Sequence, residues 1–538
     1  MSELTPAPEG AAPAAEPRAL AFADADSAKK WARALPVTNV PLVCETVLGQ
    51  LAALGAAKFA PRERATIAEV LRDLIAYLHR ELARRYAGRP QPAVDRELES
   101  TQLAIALWGA LWEQYSACLK PLLDGDPELA GVKAKILQRG IYVGKELLLV
   151  HGLARRSVPG TIWRELHAYY RLAEVLDCAV SAVSDNLAPN AVGLSCFSMY
   201  SHALLFALAD PCAMSIKQIE LVDRWLSMWA RKMFPYAQQR ETEGPIVLID
   251  LDGESGARLV ASAPATGAET LRYGYPGKLS NSVRGRLKRL QGGASPAELQ
   301  LGQDCTSPQC LTLLTHLDAR WYQPSRTAAP DVPPSAVDLC AGGLPAAYFH
   351  VGGRSFDPND LAPRASYAET TRLQVLGQIE AFDGGKDVAE REFPWERWQG
   401  SLDGRTMTLS RTADGEHRWA FDQLAIARVD GRVRVGWVAR VAAGPDSALE
   451  ATLRLWPGAP KAFAVVPLTA GEAGDTPLPA LLQGEPAEGR AYLVLPPRTF
   501  SPSRVLRSIG TVPERRYRLT RVERRGLDYE CTEFETVI

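Results

Sequence analysis

A chain of 538 residues is longer than one hydrophobic core usually organises, so two or three domains are expected. Its 61 Lys plus Arg against 62 Asp plus Glu leave a formal charge of -1, which excludes a global field drawing the chain to DNA or anionic lipid. Any nucleotide site must therefore be a local pocket. The nine cysteines lack a framework spacing, which suits packed thiols in a reducing cytoplasm. Cys305 and Cys310 are close, but no second Cys or His pair lies at zinc-site spacing, so neither a metal nor a resident cofactor is expected.

Residues 1–38 are rich in Ala and Pro and have neither a basic n-region nor an apolar h-region, which predicts a disordered tail rather than a secretion leader. From 39 to 236 apolar residues recur at three- and four-residue spacings, the period of helices. Arg62 to Tyr86 places Ile67, Leu71, Leu74, Leu78 and Leu82 on one side, and further helices are expected over Glu99–Leu123, Glu128–Arg155, Thr161–Ser184 and Ser215–Met233. The most apolar window, Ala191 to Ala209, is interrupted by Ser195, Ser198, Ser201 and His202, the pattern of a buried helix rather than a membrane span. Trp108, Trp112, Trp163, Trp225 and Trp229 lie in these helices, where core packing is their ordinary use and a protein-binding groove the alternative.

A connector is expected over 244–317. Ile246–Leu251 and Arg258–Ala261 flank a Gly-containing loop in the manner of a β-hairpin. The same hairpin carries Asp250, Asp252 and Gly253, an Asp-x-Asp-Gly run like the nucleophile signature of magnesium-dependent phosphatases. That chemistry needs a parallel strand followed by a helix, and a strand follows here, so catalysis by Asp250 and Asp252 is a secondary reading. The basic run Arg284, Arg286, Lys288 and Arg289 reads as a solvated helix face.

From 318 to 467 the pattern is of short strands, including Ala336–Cys340, Ala346–Val351 and Arg405–Ser410, with an insertion near 352–394. Asp430-Gly431 between two apolar runs is the sharpest hairpin signal in the chain. Residues 479–538 form a C-terminal β extension. There Arg515, Arg516, Arg518, Arg521, Arg524 and Arg525 put charge on both faces of one strand, which suggests an edge strand protected from pairing, with an RNA-binding face as the lesser alternative. The fold class is multidomain α+β: an all-α helical bundle followed by an antiparallel β-barrel.

Within the barrel region, Gln399-Gly400-Ser401-Leu402-Asp403-Gly404 follows Trp398 and precedes the strand-like Arg405–Leu409. This segment resembles the Asp/Asn-x-Ser-x-x-Gly turn of PilZ domains, bacterial β-barrels that bind cyclic di-GMP, with Gln399 in place of the Asp or Asn. The family's second element is an Arg-x-x-x-Arg segment flanking the barrel; here Arg326 is followed four residues later by Pro330. Guanidinium forks suit phosphate and purine recognition, and a glycine lets backbone approach the ligand closely. The resemblance covers about a quarter of the chain, and the plan of helical region plus atypical barrel is similar to larger proteins of that family. It implies a cyclic di-GMP site made by Arg326, Ser401 and Gly404 with Arg320 and Gln399. The function it implies is a non-enzymatic, cytoplasmic regulatory adaptor whose helical domain engages a protein partner. The alternatives are a degenerate PilZ scaffold or chaperone-like protein-binding module without nucleotide, and the phosphatase using Asp250 and Asp252.

Overall fold

The computed structural model describes residues 19–187, 193–264, 268–324, 335–358, 392–412, 415, 417–444, 446–468, 476–484, 491–509 and 513–537. Nine α-helices open the described chain: α1 (Ala25–Ala34), α2 (Val40–Ala56), α3 (Pro61–Tyr86), α4 (Asp95–Ser116), α5 (Leu119–Leu123), α6 (Lys133–Leu153), α7 (Gly160–Val175), α8 (Cys196–Leu208) and α9 (Ile216–Trp229). The first of them corrects the expectation of a tail running to residue 38. Asp24 and Ser27 form a capping box that satisfies free N–H groups of α1, and Phe22 is buried, so the segment has both a start signal and an anchor.

The helices are followed by β1 (Pro235–Tyr236), β2 (Ile246–Asp250), β3 (Arg258–Val260) and β4 (Leu271–Gly274), a sheet in the order β1-β4-β2-β3, then by α10 (Gly277–Gln291) and α11 (Ser307–Tyr322). The stretch expected as a connector shares the bundle's core. One apolar cluster runs from Phe22 to Trp321 and includes Val247, Ile249, Leu279 and Leu313. All five tryptophans named above are buried in it, as core packing predicts. Cys305 and Cys310, expected as free thiols, are bonded to one another; the other seven cysteines are free and buried.

The bundle also buries charge. Arg72 and Arg139 converge on Asp185 at 2.6 and 3.0 Å, and Arg139 reaches Glu69 at 2.8 Å, tying α3 and α6 to the loop before α8. Burial alone would raise the Glu69 carboxyl, but the Arg139 hydrogen bonds and the charges of Arg72, Arg139 and Lys135 outweigh it and hold the group at about 2, against an ordinary 4.5. A depressed carboxyl contributes stability that is fully present above its unfolded pKa and lost as pH falls through the folded one. The helical domain is therefore expected to lose on the order of 2 kcal/mol between about pH 4.5 and pH 2 through this group. A melting series across that window, with Glu69→Gln flattening the slope, is the check; an unchanged slope refutes the assignment.

The remaining strands form two closed barrels. The first contains β5 (Ser335–Cys340), β6 (Glu396–Asp403), β7 (Thr406–Arg411), β8 (Leu424–Val429), β9 (Arg432–Ala443) and β10 (Leu449–Leu455), in the cyclic order β10-β7-β6-β5-β8-β9. The second contains β11 (Lys461–Leu468), β12 (Leu478–Gln483), β13 (Tyr492–Leu495), β14 (Val505–Ile509), β15 (Arg516–Arg525) and β16 (Glu530–Val537), in the order β11-β12-β13-β16-β15-β14. Counted from its own first strand, each barrel has the cyclic order 1-2-3-6-5-4. The connectivity is thus repeated, and β11, which lies inside the 318–467 expected for the first barrel except for Leu468, opens the second.

Three further expectations meet the barrels. Asp430 and Gly431 take positive φ values of 49° and 72° in the β8–β9 turn, the conformation that the Asp-Gly signal predicts. Ala346–Val351, expected as a strand, lies instead in the helix α12 (Gly343–Gly352). Gly342 and Gly343 turn the chain at φ 126° and 63°, and the helix buries Leu344, Ala346 and Ala347 against both barrels. The arginine-rich β15 is not an edge: it pairs with β14 and β16. Its register shifts between Leu519 and Arg521, turning Arg521 outward to Glu533 at 2.9 Å, while Arg525 meets Glu530 and Arg524 meets Asp422. Those acidic partners offset the charges of Arg521, Arg524 and Arg525 in the cluster read as an RNA-binding alternative.

The first barrel is joined to the helical domain by main-chain bridges. Gln91 and Trp419 exchange N–H···O bonds of 2.8 and 2.6 Å; Ala443 donates to Arg155 O at 2.8 Å and accepts from Ser157 N at 2.9 Å. Arg418 adds bonds to the carbonyls of Pro90 and Pro92.

Candidate ligand-binding face and interdomain cleft

β6 places alternate side chains on its two faces. Trp398, Gly400 and Leu402 point to the barrel interior, so Gln399, Ser401 and Asp403 share the outer wall. Trp398, which precedes the Ser-x-x-Gly turn, is a core residue whose Nε1 donates to Glu396 at 2.9 Å; it offers no face to a ligand outside. Gly400 has no room for a side chain, since a Cβ would lie 2.7 Å from Thr408 O. Gly404 occupies the tight turn into β7 at φ 58°, a left-handed conformation that glycine adopts without strain.

Cross-strand register carries Ser401 around the wall. Ser401 opposes Thr408, Thr408 opposes Thr452, and Thr452 opposes Arg440. Three strand spacings separate the ends of this row, about 14 Å along the sheet. Arg440 stands at the edge of a cleft of about 940 Å³ lined also by Arg156, Trp163, Asp210, Arg258 and Arg320. The helical domain, the β2–β3 hairpin, α11 and the first barrel all contribute to it.

Of the residues predicted to bind ligand, Gln399, Ser401 and Gly404 lie together on the β6–β7 hairpin. Arg320 is in α11 on the cleft, where it meets Asp210 at 3.1 Å. Arg326 lies outside the described residues. Asp210 also takes Arg440 at 3.3 Å, and Arg440 reaches Glu450 at 3.2 Å. Burial would lower the Arg440 pKa, yet the charges of Asp210 and Glu450 raise it. Arg156 has no such compensation: burial pushes its guanidinium below the ordinary value. Sequence reasoning missed Arg156, Arg258 and Arg440 because nothing local marks them; they meet only through tertiary structure.

The Asp250 and Asp252 alternative fares differently. β2 is antiparallel to both its neighbours, and the loop after it leads into β3 instead of a helix. Asp252 is paired with Arg171 on α7. On α10, Arg284 meets Asp318 at 3.0 Å and Arg286 bonds to Leu299 O and Ser282, so these two arginines serve the fold. Among the described residues no group of His, Cys, Asp and Glu is arranged to hold a metal ion, and no helix is long and apolar enough to cross a membrane.

The family described as the cyclic-di-GMP receptor FimW N-terminal domain matches residues 26–235, the helical region from α1 to the first strand. The cyclic-di-GMP receptor FimW of Pseudomonas aeruginosa is 24% identical over 389 residues, covering 70% of this chain and 61% of that protein. The chain thus spans less than two thirds of the relative's length. No solved structure matches. By both comparisons, what this chain is similar to is a cyclic-di-GMP receptor.

Proposed function

We propose that the protein is a cyclic di-GMP-responsive regulatory adaptor of PilZ type, acting in the cytoplasm without catalysis and engaging a protein partner through its helical domain. The observation that carries this reading is the placement of Gln399, Ser401 and Gly404 on the hairpin of a closed six-stranded barrel, in a chain similar to a cyclic-di-GMP receptor. Ser401 and Gly404 would present a hydroxyl and a close backbone approach to the ligand; Gln399 offers an amide on the same wall. Arg326 enters by the PilZ resemblance alone, and Arg320 by that resemblance and its place on the cleft. The main-chain bridges from the barrel to Gln91 and Arg155 connect it to the helices. Ligand would act by shifting the population between two packings of barrel and bundle, which requires unequal affinity for the two.

Calorimetric titration of cyclic di-GMP into the full chain, with GTP as competitor control, is the test. Micromolar binding is expected, weakened about tenfold or more by Ser401→Ala and by Arg326→Ala. Absence of binding by the unaltered protein refutes the reading and leaves a scaffold whose working surface is the helical domain.

A further inference from the structure

We infer that the interdomain cleft is itself a binding site for a phosphate-bearing anion, with Arg156 and Arg258 as the ligand-facing cations. Four guanidinium groups line it, against Asp210 as the lining carboxylate. Asp210 is engaged by Arg320 and Arg440 together, and Arg440 has Glu450 besides. No described acidic side chain pairs with Arg156 or Arg258. Arg156 is half-buried, and a partly desolvated cation without a counter-ion is costly unless something negative is brought to it. A bound anion removes that cost.

The chemistry of the site narrows the anion. Guanidinium forks match the oxygens of phosphate in pairs, and several such forks facing one space favour a ligand with more than one phosphate oxygen to offer. The volume of about 940 Å³ is that of a small-molecule site. Arg156 belongs to the α6–α7 loop and Arg258 to β3, so one anion would clamp these two parts of the molecule, beside Arg440 of β9.

The inference does not require that the β6–β7 hairpin bind anything. Two sources of the same chemistry are open to test: a cyclic dinucleotide, or a separate phosphate compound. Full-length protein is titrated with cyclic di-GMP and, separately, with pyrophosphate, using the unaltered chain, Arg156→Ala, Arg258→Ala and Ser401→Ala. Melting temperatures are recorded beside each titration, and Arg258, exposed on β3, provides a variant with little structural risk. Affinity for at least one probe is expected to fall about tenfold or more in both arginine variants at unchanged melting temperature. If that probe is cyclic di-GMP and Ser401→Ala weakens it too, dinucleotide occupies the cleft; if only pyrophosphate responds, the cleft serves a second anion. Failure of both probes to bind, or affinities indifferent to Arg156→Ala and Arg258→Ala, overturns the inference. Loss of cyclic di-GMP binding in Ser401→Ala alone would do so while leaving the proposed function standing.

Discussion

Replacing Asp185 with alanine is expected to destabilise the helical domain by about 3–5 kcal/mol, one of the two largest effects anticipated for a single side chain in this protein. Its carboxylate is fully buried and accepts from Arg72 at 2.6 Å and from Arg139 at 3.0 Å, and it also caps Leu187 N at 3.0 Å. Both arginines are buried. Without Asp185 they retain only Glu69 as an acidic partner, so positive charge is left in a medium that solvates it poorly. The loop after α7 loses one of its ties to α3 and α6 at the same time, keeping those from Arg139 to Ser184 O and from Arg72 to Asn186 Oδ1. Asp185→Asn keeps the shape and part of the hydrogen bonding and should fall between the two. Urea unfolding followed by tryptophan fluorescence measures it, and a loss below about 1 kcal/mol for the alanine variant would show that Glu69 alone neutralises the pair.

The second large effect is expected in the first barrel, from Glu396→Ala. Glu396 accepts from the indole N–H groups of Trp398 and Trp419, each at 2.9 Å, and forms an ion pair with the buried Arg411. Deleting it leaves two buried indole donors and a guanidinium still bonded to His417 O at 2.9 Å but without its carboxylate. Unsatisfied buried groups of this kind cost about 1–3 kcal/mol each, and a broken buried ion pair about 3–5 kcal/mol. Because Trp419 is also the residue that bridges to Gln91, the variant should loosen the barrel from the helices as well as weaken it. Faster hydrogen exchange at Trp419 and Gln91 than in the distant α3 would register both. Glu396→Gln, which can accept but cannot neutralise, separates the hydrogen bonds from the charge.

Much of the fold could be read from local signals. The helical period, the Asp430-Gly431 turn and the Ile246–Ala261 hairpin are each written within a few residues, and each is realised. The Ser401 to Gly404 segment reads as a turn, because serine, aspartate and glycine have conformational reasons to be there, yet only Gly404 is in one: Ser401 to Asp403 complete β6. What escaped the sequence is what depends on distant partners. Ala346–Val351 has no strong preference of its own and becomes helical because two barrels offer it an apolar seat. The arginines of β15 look like protection for an edge until β16 supplies their carboxylates. The closure of the second barrel and the meeting of Arg156, Arg258 and Arg440 are products of topology, and no window of sequence contains them.

The repeated 1-2-3-6-5-4 order also sets a timetable for the chain as it is made. Asp338 on β5 must find Arg397, 59 residues on, and Arg428, 90 residues on, before the first barrel can close. Long-range pairing of this kind meets its entropic cost before its contacts form, and it is slow. The helical half emerges first and can present the edges at Gln91 and Arg155 while the barrel strands are still being synthesised. The seam that joins the two halves is therefore met by the barrel against helices already synthesised.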